Sequence, residues 1–429
     1  MIDFILGLRS LLFRKRQYIS LFLVCVVGTG ISMFSVFVIN GMLDSLRMKA
    51  KIYYGGDFQF IGGNHELYFA DAEGMIDKLK KVFPENAVIS KRFDFDAKYA
   101  ALYFEGEGVR QRVIKGVDFE KEKELFRYFT YVSGSAESMA GSNGILLSKP
   151  IAQMLEVHTG DTLTLMLRDS RNYINTVQLE VKGIFTDSSL FGMYTSYMDI
   201  NTLRKVYGMD EKAANRIVIS FPEHAREVNR LNYYQTELEK QFNMFEQVDD
   251  KQIFYHKLLD ERKLPDPTYA LIPLSSNLKE VDILIDAMYG ISYFVISTLV
   301  LIIIIGISST YRVLVMKRSN EIGIYMAIGM RRNGIRRILL SENFMLLVSG
   351  CVFGFIFSLL LCYFIKFVNF SFIPAFDIFL SNGIILPVID ILSVFIICLI
   401  VTVTTTLAVL FAVQKSVKMT PCQALAVTG

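Results

Sequence analysis

Residues 316–343 read MKRSNEIGIYMAIGMRRNGIRRILLSEN, a basic and partly amphipathic stretch. An uncharged run, ISYFVISTLVLIIIIGIS at 291–308, stands before it, and another, FMLLVSGCVFGFIFSLLLCYFI at 344–365, follows it. Each flank is apolar enough to cross a bilayer. The quoted stretch is therefore a loop between two membrane spans, and the rest of the fold is built outward from it.

Four segments lack Lys, Arg, Asp and Glu: 17–43, 287–311, 343–365 and 391–414. A helix needs about 20 apolar residues to cross the hydrocarbon core. None of the four alternates with period two, so they are helices rather than barrel strands. Four such runs are too many to hide in a soluble core. The 429 residues are 52% hydrophobic and still 20% charged, which predicts a membrane protein with a large aqueous domain. The expected class is α+β: four transmembrane helices, with an α+β extracytoplasmic domain inserted between helices 1 and 2.

Basic residues orient the chain. Outside 41–286 there are 14 Lys and Arg, and 13 of them share one side if the N-terminus is cytoplasmic. These are Arg9, Arg14, Lys15, Arg16, Arg312, Lys317, Arg318, Arg331, Arg332, Arg336, Arg337, Lys415 and Lys418, with Lys366 alone outside. The positive-inside rule selects both termini in the cytoplasm. Of these, Arg14, Lys15, Arg16, Arg331, Arg332, Arg336 and Arg337 are expected to hold the chain at anionic lipid headgroups.

The expected order is a cytoplasmic amphipathic helix (1–16), helix 1 (17–43), the extracytoplasmic domain (44–284), helix 2 (287–311) and a cytoplasmic coupling loop (312–342). Helix 3 (343–365), a short outer loop (366–385), helix 4 (386–412) and a cytoplasmic tail (413–429) complete it. Phe4, Ile5, Leu8, Leu11 and Leu12 fall at helical spacing beside Arg9, as in an interfacial helix; the alternative is the first turns of span one. A cleaved signal is not expected, because the apolar run is long and VINGMLDSLR (38–47) offers no A-x-A-like site. Cys25, in FLVC, lacks a small residue before it and does not read as a lipid-anchor site.

The outer region 41–286 holds 31 basic and 37 acidic residues and no cysteine, so disulfides do not staple it. AEGMIDKLKKVF (72–83) has helical spacing, AVISKRFDFDA (87–97) and YAALYF (99–104) read as strands, and VRQRVIKGVD (109–118) as a second hairpin arm. GILLSKPIAQMLEV (144–157), TLTLML (162–167), VQLEVKGIF (177–185), MDINTLRKVYG (198–208), NRIVISF (215–221) and AREVNRLNYYQTELEKQF (225–242) continue as strands and helices. The stretch from Lys257 to Lys279, with Pro265, Pro267 and Pro273, is expected to lead back to the membrane.

No catalytic centre is expected. G-x-x-x-x-G-K-[ST], G-x-S-x-G and H-E-x-x-H are absent, and His65, His158, His224 and His256 are far apart, so no metal or cofactor site is expected either. Asp94 and Asp96 flank Phe95 on a presumed strand and read as a solvated face. Asp390, after Pro387, sits near the outer interface, with ion coupling as the alternative. VTVTTTL (401–407) can supply interhelical hydrogen bonds. Nothing points to nucleic acid.

Two segments carry a resemblance. RSNEIGIYMAIGMRRNGIRRILLSEN (318–343) fits the pattern R-x-x-E-I-G-x-x-x-A-x-G, then basic residues and a Glu opening the next helix. IKGVDFEKEKEL (114–125), GILLSKPIAQMLEVHTGDTLTL (144–165) and VQLEVKGIFTDSSLFGMYTSYMDINTLRKVYG (177–208) follow in the order and spacing of the lipoprotein-releasing, Lol-type permeases, and KMTPCQALAVTG (418–429) is similar to their closing P-x-x-A-L. The chain thus resembles the FtsX/MacB-type ABC transporter permeases, closest to the Lol-type subunits.

The resemblance implies a non-catalytic inner-membrane permease with a periplasmic MacB-like domain, paired with a second permease in a homo- or heterodimer. A separate ATPase dimer would bind ATP and Mg, and lipoprotein would be the cargo. It also implies docking of the loop helix on the ATPase through Glu321, Ile322, Gly323, Tyr325, Met326, Ala327 and Gly329. Ile322, Tyr325, Met326 and Gly329 share a helical face, Gly323, Ala327 and Gly329 allow close approach, and Glu321 suits the helix start and a basic partner. The alternative is a basic interfacial helix with no protein partner. Alternatives for the whole chain are MacB-like export of peptides or toxins and signalling to a cell-wall hydrolase. Some Lol-type subunits recruit a carrier with a long hairpin, whereas RDSRNYINT (168–176) is short here, so carrier recruitment is not expected.

Overall fold

The computed structural model describes residues 15–63, 67–187, 189, 191–222, 226–261, 263–265 and 267–416. The chain divides into two units, one of membrane helices and one built on a sheet. The first helix, α1 (Lys15–Tyr54), has 40 residues. At 1.5 Å per residue it is about 60 Å long, twice the hydrocarbon thickness. It therefore runs well past the expected boundary at 43. Its residues up to Leu43 belong to the membrane unit, and its last turns belong to the sheet unit.

The sheet unit, Asp44–Ile283 with Phe370–Gly383, contains one mixed sheet of 12 strands. They are β1 (Phe58–Gly63), β2 (Val88–Asp96), β3 (Ala101–Phe104), β4 (Glu107–Arg110), β5 (Val113–Val117) and β6 (Tyr131–Gly134). β7 (Gly144–Ser148), β8 (Thr162–Arg168), β9 (Ile174–Phe185), β10 (Thr195–Asp199), β11 (Arg216–Ser220) and β12 (Thr268–Pro273) follow. The order is β12-β1-β11-β2-β5-β10-β7-β9-β8-β3-β4, with β6 paired to β9. The β5–β10 and β7–β9 pairs are parallel. Four helices of this unit are α2 (Ala72–Leu79), α3 (Lys149–Leu155), α4 (Ile200–Tyr207) and α5 (Leu231–Glu239). Asp71 caps α2 by accepting from Gly74 N, and Asp199 caps α4 by accepting from Asn201 N.

Three expectations change here. The arm 109–118 is two strands: β4 pairs with β3, and the chain then leaves at Gln111 so that β5 can join β2 and β10. The stretch expected to lead back to the membrane contains β12, which pairs with β1 along its whole length. Pro273, its last residue, closes the strand where a missing N–H is tolerated. Asp94 does not face solvent. Its carboxylate takes Lys115 Nζ at 2.7 Å and Arg216 Nε at 2.9 Å, while Asp96 is exposed as expected.

The same charged cluster holds the end of α1. Arg92, fully buried, donates from Nη1 to the carbonyls of Ile52 and Tyr53 at 3.0 and 3.1 Å. A guanidinium there satisfies orphan carbonyls at the negative end of the helix. Glu122 balances its charge, with Nε–Oε1 at 3.0 Å, and Lys115 Nζ lies 3.9 Å from the Tyr53 ring centre. Gly55 (φ +94) makes room, because a Cβ there would stand 2.6 Å from Arg92 Nε.

The membrane unit adds α6 (Asp282–Lys317), α7 (Ser319–Ala327), α8 (Arg332–Ile365) and α9 (Ile391–Ser416). Four described helices, α1, α6, α8 and α9, are long and apolar enough to cross a membrane. α9 starts at Ile391 rather than 386, where Asp390 accepts from Leu392 N at 3.0 Å and so caps it. α8 starts at Arg332, so residues assigned to the coupling loop are its first turns. α1 and α8 cross closely. A Cβ on Gly350 would lie 2.4 Å from Cys25 Sγ, and one on Gly354 would lie 2.1 Å from Thr29 Oγ1. Gly350 and Gly354 form a G-x-x-x-G face, the small-residue contact that helices use in lipid. Thr404 in VTVTTTL bonds back to Ile400 O at 2.6 Å within its own helix. Cys25, Cys351, Cys362 and Cys398 are free thiols, and Cys422 lies outside the described residues.

Candidate functional site

The stretch 316–343 folds as the last turn of α6, the short helix α7 and the first turns of α8. α6 stops at Lys317 without Gly or Pro. The cause is Arg318, whose side chain turns into the helix bundle. Its Nη1 donates to Glu342 Oε2 at 2.6 Å and its Nη2 to Glu342 Oε1 at 3.2 Å, a bidentate pair. Nη1 also lies 3.2 Å from Tyr18 OH, and that hydroxyl donates to Glu342 Oε2 at 2.8 Å. Arg318 is 5% exposed, Glu342 0% and Tyr18 3%. Burial pulls the arginine pKa down, but the bonds and charge of Glu342 outweigh it, and the net direction is up. Beside this network Tyr311 OH donates to Leu339 O at 2.6 Å, tying α6 to α8.

The network fixes α7 at its start. Tyr18 comes from α1, Arg318 from the α6–α7 junction and Glu342 from α8. Arg318 Nε reaches Glu321 at 3.1 Å. The basic partner expected for Glu321 is thus met within the chain, in the first turn of α7, where a carboxylate also suits the helix dipole. At the other end Gly329 adopts φ +90 and reverses the chain, with Met330 N donating to Tyr325 O at 3.0 Å. Gly329 therefore ends the helix instead of lying on its face.

The apolar face expected to dock is turned inward. Ile322 and Gly323 are buried, and Tyr325 and Met326 are half-buried against the membrane-unit core. Outward lie Asn320, Ile324, Ala327 and Ile328, with Ile324 55% and Ile328 73% exposed. α7 is apolar nearly all round, so periodicity could not select its free side. Arg331, Arg332 and Arg337 are exposed around the α7–α8 turn, and Arg336 is half-buried. Arg14 lies outside the described residues, as do the side chains of Lys15 and Arg16. Sequence reasoning passed over Tyr18, Tyr311 and Glu342 as functional residues. The available signal was a polar side chain at one edge of three apolar runs: Tyr18 and Tyr311 just inside, Glu342 just before.

Residues 293–421 match the family model described as FtsX-like permease C-terminal. The C-terminal part of the chain is thus similar to FtsX-like permeases. That match covers α7, α8, most of α6 and the described part of α9, so Arg318 and Glu342 lie within the matched segment and Tyr18 outside it. Among solved structures, the chain is similar to the periplasmic region of MacB from Actinobacillus actinomycetemcomitans, at 8% identity and a TM-score of 0.32. That match covers 54% of this chain and 95% of the MacB region. No curated protein sequence matches the chain.

Proposed function

We propose that this permease couples a separate cytoplasmic ATPase dimer to its sheet domain, and that α7 is the element the ATPase grips. One observation carries the reading: α7 is pinned at its start by the buried Arg318–Glu342–Tyr18 network, while Ile324, Ala327 and Ile328 stay exposed. A short helix so held transmits a push into α1, α6 and α8 rather than bending away. An exposed apolar pair on it is what a groove in a partner would bury. Both termini and α7 lie in the cytoplasm of an inner-membrane protein, with the sheet domain in the periplasm; the basic side chains around α7 support this. ATP and Mg belong to the ATPase. A second permease, alike or different, completes the complex.

The cargo in this reading is lipoprotein, taken from the outer leaflet. The order and spacing of 114–125, 144–165 and 177–208 support it. Each buried acyl CH₂ resists extraction by about 0.8 kcal/mol, so release needs coupled work. The test is purification of the intact complex from native membranes, with mass spectrometry of what is retained. An ATPase with acylated lipoproteins is the expected result. An adaptor or a wall hydrolase in place of lipoprotein turns the reading to export or signalling. Ile324→Asp with Ile328→Asp is expected to lose at least about tenfold of the retained ATPase while folding is kept. Full retention refutes docking through α7.

A further inference from the structure

The connection between α8 and α9, expected as a simple outer loop over 366–385, is divided by the fold. Phe370–Gly383 belongs to the sheet unit, whereas Asn369 and Ile384 belong to the membrane unit. Within the sheet unit this segment is held by apolar burial, by the Lys49 ammonium and by a hydrogen bond from Thr186 Oγ1 to Asn382 Oδ1 at 3.4 Å. Ile378, Phe379 and Leu380 are buried, and Phe370 N donates to Gly383 O at 2.7 Å to close the loop. Lys49, near the end of α1, places Nζ 3.2 Å from the Asp377 carboxylate and also donates to the Asp377 carbonyl. The same Nζ lies 3.6 Å from Asp187, just beyond β9, whose carboxylate also accepts from Ser189 N at 2.9 Å. Side-chain exposure is 15% for Lys49, 16% for Asp377 and 8% for Asp187, so the group is largely shielded from solvent. Removing one partner from a group this dry costs more than breaking a surface pair, because the remaining charge is left poorly solvated.

We propose that Lys49 is a positioning residue for coupling: it locks the α8–α9 connection to the end of α1, so that the sheet domain is driven by α8 and α9 as well as by α1 and α6. The covalent chain enters the sheet unit from α1 and leaves it into α6. Segment 370–383 is a third attachment, joined to α8 and α9 by short lengths of chain. Lys366–Asn369 reaches at most about 14 Å when extended. On the return side, Val388 N donates to the Phe37 carbonyl of α1 at 3.0 Å and takes up slack there. Displacement of α8 or α9 therefore reaches segment 370–383 with little loss. Without the Lys49–Asp377 pair, that segment keeps its apolar contacts and the Thr186–Asn382 hydrogen bond but is held less firmly.

The inference rests on the permease reading, since it needs an ATPase to move the helices. The test uses the full chain in complex with its ATPase, comparing wild type with Lys49→Met, Asp377→Asn and Lys49→Arg. Hydrogen exchange is followed over 370–383, 44–54 and the strands, with and without ATP plus vanadate. ATP hydrolysis and ATPase retention are measured in the same samples. The expected result for Lys49→Met and Asp377→Asn is exchange over 370–383 about tenfold faster, with hydrolysis and retention unchanged. The nucleotide-dependent change in strand exchange falls by about half or more, and Lys49→Arg restores it. A wild-type nucleotide response in both neutral variants overturns the proposal. If the wild-type chain itself retains no ATPase, or shows no nucleotide response, the permease reading has failed instead, and the proposal falls with it.

Discussion

Arg318 and Glu342 offer the sharpest test of how α7 is held. Both are buried, so removing one leaves the other's charge out of water without its counterion. Such losses run to about 3–5 kcal/mol, whereas replacing both by apolar residues is often near neutral. The structure ranks the two single changes. Arg318→Met strands Glu342, 0% exposed, with the Tyr18 hydroxyl 2.8 Å away, and belongs at the upper end of that range. Glu342→Gln leaves Arg318 beside Glu321 at 3.1 Å, so it costs less, about 2–3 kcal/mol. The double change Arg318→Met with Glu342→Met should cost about 1 kcal/mol, far below the sum of the singles. The assay is thermal unfolding of the full chain in one detergent at one scan rate, because unfolding of such proteins is often irreversible. For a chain of 429 residues, a 4 kcal/mol loss corresponds to a midpoint lower by about 4–5 °C. Additive losses, or a double variant as unstable as Arg318→Met, would refute the pairing. The double variant also separates stability from coupling. It should fold, yet α7 loses its anchor, so ATPase retention is expected to fall even as the midpoint recovers.

Two further outcomes follow from packing and charge. Gly354→Leu should abolish a folded membrane unit, because even a Cβ would meet Thr29 Oγ1 at 2.1 Å; Gly290→Leu, with nothing within 4 Å of its Cβ, should not, and detergent-soluble yield distinguishes them. In the sheet domain, Lys115 has its pKa pulled down to about 8: burial lowers it, Asp94 raises it, and Arg92 and Arg216 lower it further. Asp94 moves below the usual carboxylate range, as Lys115, Arg216 and Arg92 outweigh its burial. From about pH 8 to 10.5 the unfolded chain binds a lysine proton that the folded chain has released, so this residue's contribution to stability rises with pH across that window. Lys115→Met should remove that rise; an unchanged slope of stability against pH would contradict the buried placement.

The amino-acid sequence by itself determined the four spans, because a helix in lipid must be apolar over its whole girth for about 20 residues, and a local rule reads that directly. It also determined most of the sheet. Strands such as β8 and β9 alternate with period two where one face is buried, and α2 shows in the helical spacing of 72–83. The loop motif was legible as a motif, down to Arg318, Glu321 and the Glu opening the next helix. What that motif does was not. Arg318 and Glu342 are 24 residues apart, and Tyr18 is 324 residues from Glu342, so their meeting depends on how separate helices pack. β12 was missed because its prolines, taken locally, signal a linker; only the neighbouring β1 makes it a strand. Segment 370–383 was passed over because it has no periodicity, and its place is set by Lys49 far away in the chain. Which face of α7 stays exposed was not legible, because beyond Glu321 the helix is apolar all round and has no pattern to say which side its own protein covers. Periodicity records that a residue is buried; the partner that buries it is a long-range choice, made by the tertiary structure.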